Sequence, residues 1–237
     1  MSFATTRWSM VHAAGAEDGS QQAREALEEL SERYWFPIYA FVRRQVSSAE
    51  QAEDLTQGFF CELLEKSELA RADATRGRFR SFLLTAARHY LVRKKEHEGA
   101  LKRGGGRSVL SLDRSLGESR LAHEPADART PERAFEHAWA VSQLEAAMAR
   151  LQTEYEGSGR GALFHALKPW LSGKPAGDQA SLARSLDMQP GACKVALHRL
   201  RQRMGLALRA EVSETVSTPA EVDEELALLF AALSHSP

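Results

Sequence analysis

The stretch Ser181–Met204 constrains the fold more than any other, because two helical patterns stand on either side of a break. Leu182 and Leu186 recur at helical spacing, and Asp187 tolerates the left-handed backbone that a tight turn needs. Pro190 suits the first position of a second helix, because that position needs no backbone N–H and the ring already fixes a helical φ. The sequence therefore predicts two helices joined by a short turn.

The second of these helices has an apolar stripe and a separate basic face. Five Lys or Arg and no Asp or Glu lie between Gln189 and Arg209. A solvated surface helix is one interpretation, but acidic i,i+4 partners would then normally accompany the cations. Their absence favours a helix-turn-helix whose second helix enters the major groove of duplex DNA. The candidate contacts to duplex DNA are Lys194, Val195, His198, Arg199 and Arg201.

Charge is segregated along the 237 residues although the net charge is only −1. Twelve acids and five bases lie in 17–69, eleven bases and three acids in 71–107, and six acids with no Lys or Arg in 210–237. Such segregation suggests a different partner for each segment. The acidic segment 210–237 follows the basic helix-turn-helix in the chain. This order motivates the hypothesis that the segment, an acidic tail, is autoinhibitory or regulatory.

Helix-forming residues dominate, and the sequence lacks alternating β-branched runs, so an all-α chain is predicted. Three amphipathic helices, 21–46, 49–66 and 79–95, are expected to form a bundle in an N-terminal domain of residues 1–100. A Gly- and Ser-rich flexible linker at 101–131 should lead to a second helical domain at 132–212, which contains the helix-turn-helix. Residues 213–237 are expected to form an acidic helical extension.

The third helix of the bundle, 79–95, combines buried aromatic residues with a basic side that includes Arg80, Arg88, Arg93 and Lys94. Cations beside a polar loop at 71–78 are typical of proteins that hold single-stranded DNA. The aromatic residues themselves are expected to belong mainly to the core.

Three stretches together resemble the extracytoplasmic-function (ECF) type of bacterial RNA polymerase sigma factor, over roughly residues 23–211. These are AEDLTQGFF (52–60), RFRSFLLTAARHYLVRKKE (78–96) and the helix-turn-helix stretch. The resemblance implies that Asp54 and Gln57 bind the core polymerase, and that the helix-turn-helix reads the minus-thirty-five element of promoter DNA. It implies that the melted minus-ten element is bound by Arg78, Arg80, Arg88, Arg93 and Lys94.

Other classes of function remain to be weighed against this resemblance. A stand-alone helix-turn-helix regulator that works without polymerase is the alternative. An enzyme is disfavoured: His89 and His97 lack carboxylates arranged for a metal, and the GGGR at 104–107 lacks the Lys-Ser/Thr of a phosphate loop. No catalytic residue, cofactor or metal is therefore expected.

Two further expectations concern partners and location. Besides core polymerase and promoter DNA, an anti-sigma factor or other regulatory protein is a candidate partner. With neither a signal peptide nor a long apolar span in the sequence, a cytoplasmic protein without a membrane partner is expected.

Overall fold

The computed structural model describes residues 20–65, 77–100, 130–171, 177–216 and 218–234, together with Val11 and Leu69. Almost all of the predicted linker at 101–131 lies outside the described residues. In the described ranges the regular elements are helical and none is a strand, which confirms the all-α prediction. The helices are α1 (Gln21–Arg43), α2 (Ala49–Glu65), α3 (Phe79–Ala100), α4 (Pro131–Gly157), α5 (Gly161–Leu167), α6 (Gln179–Ser185), α7 (Pro190–Ser213) and α8 (Pro219–Ser234), with a short 3-10 helix at Lys168–Trp170.

Several helices begin where hydroxyl side chains supply the capping bonds. The Ser48 hydroxyl accepts the Gln51 N–H at 3.1 Å before α2, and the Thr130 hydroxyl accepts the Arg133 N–H at 3.3 Å before α4. At α8, Thr218 and Glu221 form a reciprocal capping box. These side-chain hydrogen bonds fix the starts of α2, α4 and α8.

The described residues group into two compact units. Unit 1 comprises residues within 1–142 and 213–237, and therefore holds α1, α2, α3, the first part of α4, and α8. Unit 2 comprises residues 143–212, and therefore holds the rest of α4, α5, α6 and nearly all of α7. Unit 1 therefore contains the start of α4 and the C-terminal helix together with the N-terminal helices. The sequence pattern alone predicted domain boundaries at 132 and 212.

In unit 1, α1 packs on α2 and α2 packs on α3. The Tyr34 and Phe79 rings meet edge to face with centroids 5.3 Å apart, and Phe59 meets Tyr90 in the same way at 5.8 Å. Edge-to-face pairs add to the free energy gained from burying the rings. The predicted apolar stripes of these helices are largely buried, notably at Leu30, Tyr34, Ile38, Phe41, Ala52, Phe59, Leu63, Phe79, Leu83 and Tyr90.

Unit 2 has its own apolar core, built from α4, α5 and α7. Its buried members are Leu151, Tyr155, Phe164, Leu167, Leu197 and Leu200, with Leu182, Leu186, Trp170 and Met204 packed against them. Asp187 has a φ of 51° between α6 and α7, the left-handed conformation predicted for it. The tight turn therefore allows α6 and α7 to share this core.

Candidate nucleic-acid interface

The candidate polymerase-binding residues lie on α2. Asp54 is exposed and Gln57, one turn further along, is half-buried. On another side of the same helix, Thr56 is fully buried and its hydroxyl donates to the Ala52 carbonyl at 2.7 Å. Because Thr56 and Ala52 are fully buried, α2 is held by its inner side and presents the Asp54 carboxylate to solvent.

The C-terminal half of α3 carries exposed cations. The side chains of Arg88 and Arg93 are 50% and 46% exposed. The Lys94 ammonium lies 5.3 Å from the centroid of the Tyr90 ring, which itself is buried. This part of α3 therefore forms the basic surface that the sequence predicts.

Both exposed arginines contact a glutamate of another helix. Arg93 donates to Glu62 of α2 at 2.5 Å, and Arg88 donates to Glu132 at the start of α4 at 2.8 Å. The hydrogen bond from Arg88, aided by the first-turn backbone, lowers the pKa of the Glu132 carboxyl. Surface pairs of this kind contribute little free energy, so a phosphate could replace either carboxylate with little change in the fold.

The structure corrects the prediction for Arg80. The sequence pattern placed this residue on an exposed basic side of its helix, but it is buried. Only 7% of Arg80 is exposed. Its Nε donates to both carboxylate oxygens of Glu225 on α8, at 3.0 Å each, and its guanidinium lies 4.7 Å from the centroid of the Trp139 ring. Arg80 is buried because the carboxylate and the ring replace the water that a cation otherwise requires.

Arg78, two residues before, contacts the same segment of α8. Its Nη2 lies 2.6 Å from Glu224 Oε2 and its Nε lies 3.1 Å from Glu225 Oε1. Sequence analysis missed both carboxylates as partners, since they are about 145 residues away along the chain. The acidic composition of 210–237 was the available signal, but it could not say which basic residues the acids meet.

The predicted duplex contacts lie on α7 in unit 2. Lys194, Val195, His198, Arg199 and Arg201 are all exposed, whereas Cys193, Leu197 and Leu200 of the same helix are buried. Arg201 also donates to the Trp170 carbonyl at 3.3 Å. The predicted division of α7 into an apolar stripe and a basic face is therefore confirmed, while the role of that face stays a prediction.

The Asp178 side chain fixes the start of α6, the helix before the turn. Its Oδ1 accepts the backbone N–H of Ser181 at 2.7 Å. Hydrogen bonding from the Ser181 side chain, and then from the Ser181 backbone N–H, lowers the pKa of the Asp178 carboxyl. The cap supplies a partner for an N–H that α6 itself leaves unpaired.

Residues 30–99 match the sigma-70 region 2 family. The matched residues comprise most of α1, all of α2 and nearly all of α3, so both Asp54 and the α3 cations lie inside the segment that is similar to region 2. In sigma-70 factors, region 2 binds the RNA polymerase core and promoter DNA, and these factors are transcription initiation factors without enzymatic activity. The chain has no significant match among curated proteins or among solved structures.

The described residues show neither a group of metal ligands nor a membrane-spanning helix. They contain no group of three or more His, Cys, Asp or Glu side chains arranged to hold a metal ion. None of the helices described above combines the length and apolar character needed to span a membrane.

Proposed function

We propose that this protein is an ECF-type sigma factor, which directs core RNA polymerase to specific promoters in the cytoplasm. Region 2 would bind the core enzyme and the melted minus-ten element. The α6–α7 segment would be a helix-turn-helix that reads the minus-thirty-five element. Predicted boundaries for this arrangement are residues 1–100 and 132–212 for the two domains and 101–131 for a linker between them.

The match of residues 30–99 to region 2 is the observation that carries the proposal. It supports a sigma factor role in polymerase binding and promoter melting. The second support is α7, whose exposed cations follow a tight turn in a separate compact unit. A two-element promoter reader requires two DNA-binding modules, and the chain offers one candidate in each unit.

The proposed roles follow from the resemblance to ECF sigma factors and are supported by charge and, except at the buried Arg80, by at least partial exposure. Asp54, with Gln57 beside it, would contact a basic surface of the core enzyme. The cations Arg78, Arg80, Arg88, Arg93 and Lys94 would bind the opened strand, and Lys194, Val195, His198, Arg199 and Arg201 the duplex. Phosphate contacts by these cations should supply most of the affinity.

A binding measurement with a bacterial core RNA polymerase tests the polymerase-binding role. The purified full chain should bind core enzyme, and Asp54→Asn should weaken binding on the order of tenfold, as expected for a contact at the centre of an interface. Glu28→Gln is the matched control, because it removes one exposed carboxylate from α1 instead of α2. Equal weakening by both variants would refute a specific contact at Asp54.

Failure to bind core polymerase, combined with tight binding to an operator by the chain alone, would favour the stand-alone regulator. A sigma factor should instead bind duplex DNA weakly until it joins the core enzyme. A sigma factor should therefore bind core polymerase more tightly than duplex DNA, whereas a stand-alone regulator should bind duplex DNA more tightly than core polymerase.

A further inference from the structure

We propose that α8 is an intramolecular competitor of promoter DNA, occupying Arg78 and Arg80 of region 2 until it is displaced. The inference rests on the proposed function, because it assigns these two arginines to the melted strand. It goes beyond that function by giving the C-terminal helix a specific site of action and named contacts.

The contact between α8 and region 2 has the chemistry of a phosphate contact. The Glu225 carboxylate accepts from Arg80 Nε through both oxygens and also lies 3.1 Å from Arg78 Nε. Glu224 adds a second carboxylate, 2.6 Å from Arg78 Nη2. Guanidinium groups bind carboxylates and phosphates through the same charge-assisted hydrogen bonds. A DNA phosphate and the α8 carboxylates therefore cannot occupy these donors together.

Burial makes this contact different from the ion pairs that Arg88 and Arg93 form. The Glu225 side chain is 1% exposed and the Arg80 side chain 9%, whereas those of Arg88 and Arg93 are about half exposed. A phosphate can reach Arg88 or Arg93 by displacing a surface carboxylate. To reach Arg80, DNA must first displace the helix that carries Glu225.

The docked side of α8 joins this carboxylate to apolar residues. Val222, Glu225 and Leu229 are buried and recur at i, i+3 and i+7, so they share one face of the helix. Leu228 and Phe230 on other faces are 43% and 54% exposed. Because one helix face holds both kinds of contact, neutralising Glu225 should weaken the docking of the whole helix.

The energetic consequence follows from a two-state equilibrium between docked and undocked α8. If DNA binds only the undocked form, the apparent Kd equals the intrinsic Kd divided by the undocked fraction. Glu225→Gln removes the carboxylate that accepts from Arg80 Nε and leaves only the half-exposed Glu136 carboxylate, 3.9 Å from Arg80 Nη1, as a counter-charge, which destabilises the docked form. The variant should therefore bind DNA more tightly although its region 2 cations are unchanged.

The test measures binding of the full-length chain to a fluorescently labelled single-stranded oligonucleotide of mixed sequence, by anisotropy across a range of salt concentrations. The double variant Glu224→Gln/Glu225→Gln should bind about tenfold more tightly than the original chain. The slope of log K against log salt should change little, because both proteins make the same phosphate contacts once α8 is displaced.

Two further variants control for folding and net charge. Glu224→Gln alone affects a side chain that is 68% exposed, so it should leave the fold intact and tighten DNA binding by less than the double variant does. Glu28→Gln changes net charge by the same amount on α1 and should alter neither affinity nor slope. Circular dichroism establishes that each variant keeps its helical content.

Hydrogen exchange of the original chain gives an independent readout. With saturating oligonucleotide, the amides of 219–234 should exchange faster, while those of 49–65 keep their protection. Unchanged affinity in the variants, or continued protection of 219–234 in the DNA complex, would overturn the inference.

Binding to core polymerase separates this inference from the proposed function. Variants that bind core enzyme normally but show no gain in DNA affinity would refute competition by α8 and leave the sigma factor role standing. Loss of core binding by the original chain itself would refute the proposed function instead.

Discussion

The packing of α2 against α3 depends on a glycine, and substituting it tests how closely the two helices approach. A Cβ placed on Gly58 would overlap the Tyr90 hydroxyl, whereas the Tyr90 Cζ lies at an ordinary contact distance of 3.5 Å. Overpacking of this kind costs about 1–3 kcal/mol. Alanine in place of glycine within a helix gains about 1 kcal/mol. Gly58→Ala should therefore change the free energy of unfolding by a net loss of about 0–2 kcal/mol.

Gly58→Ala should raise the free energy of unfolding, instead of lowering it, once the Tyr90 hydroxyl is removed. In a Tyr90→Phe background the overlap is gone, so Gly58→Ala should raise the free energy of unfolding by up to about 1 kcal/mol. Urea denaturation monitored by circular dichroism, with hydrogen exchange of 49–65 and 79–100, gives all four free energies of the double-mutant cycle. A Gly58→Ala effect that is the same in both backgrounds would refute the close approach of α2 and α3 at this point.

Three further predictions concern the ion pair of Glu132, the helix cap formed by Asp178 and the proposed phosphate contact of Lys194. Glu132→Gln should lower the free energy of unfolding by a few tenths of a kcal/mol at neutral pH, because its pair with Arg88 is exposed. Since the pKa of Glu132 is lowered in the fold, this contribution exists above its ordinary value of 4.5 and disappears as pH falls through the lower folded value; a difference from wild type that persists in acid would contradict the pair. Asp178→Ala should speed hydrogen exchange in α6 by removing the bond to the Ser181 N–H, and equal exchange in both proteins would refute the cap. Lys194→Ala should reduce the salt slope of duplex binding by about 0.9 for all sequences, and an effect confined to one base position would contradict a phosphate contact.

Local patterns predicted the helices and much of their packing. The apolar stripe of α7 follows from its spacing, and the left-handed Asp187 follows from the residue type and the break around it. Helix starts at Ser48, Thr130 and Thr218 follow from hydroxyl side chains that accept nearby N–H groups. Each of these predictions needs only residues within one or two turns of each other.

The burial of Arg80 could not be predicted from local sequence patterns. Helical periodicity assigned it to the basic side of α3, because a cation is costly to bury without a partner. The partner is Glu225, which periodicity in α3 cannot reveal because it lies 145 residues further along the chain. The acidic tail motivated only the hypothesis of an autoinhibitory or regulatory role, and tertiary structure identifies the two arginines that it contacts.

Transcription in vitro tests the central claim most directly. Bacterial core RNA polymerase is mixed with the purified chain and a library of promoter fragments, and the initiated transcripts are sequenced. The account predicts transcripts that depend on the chain, start at a fixed distance from two shared upstream elements, and decline when Asp54 is replaced by Asn. Transcripts that are the same with and without the chain would contradict it.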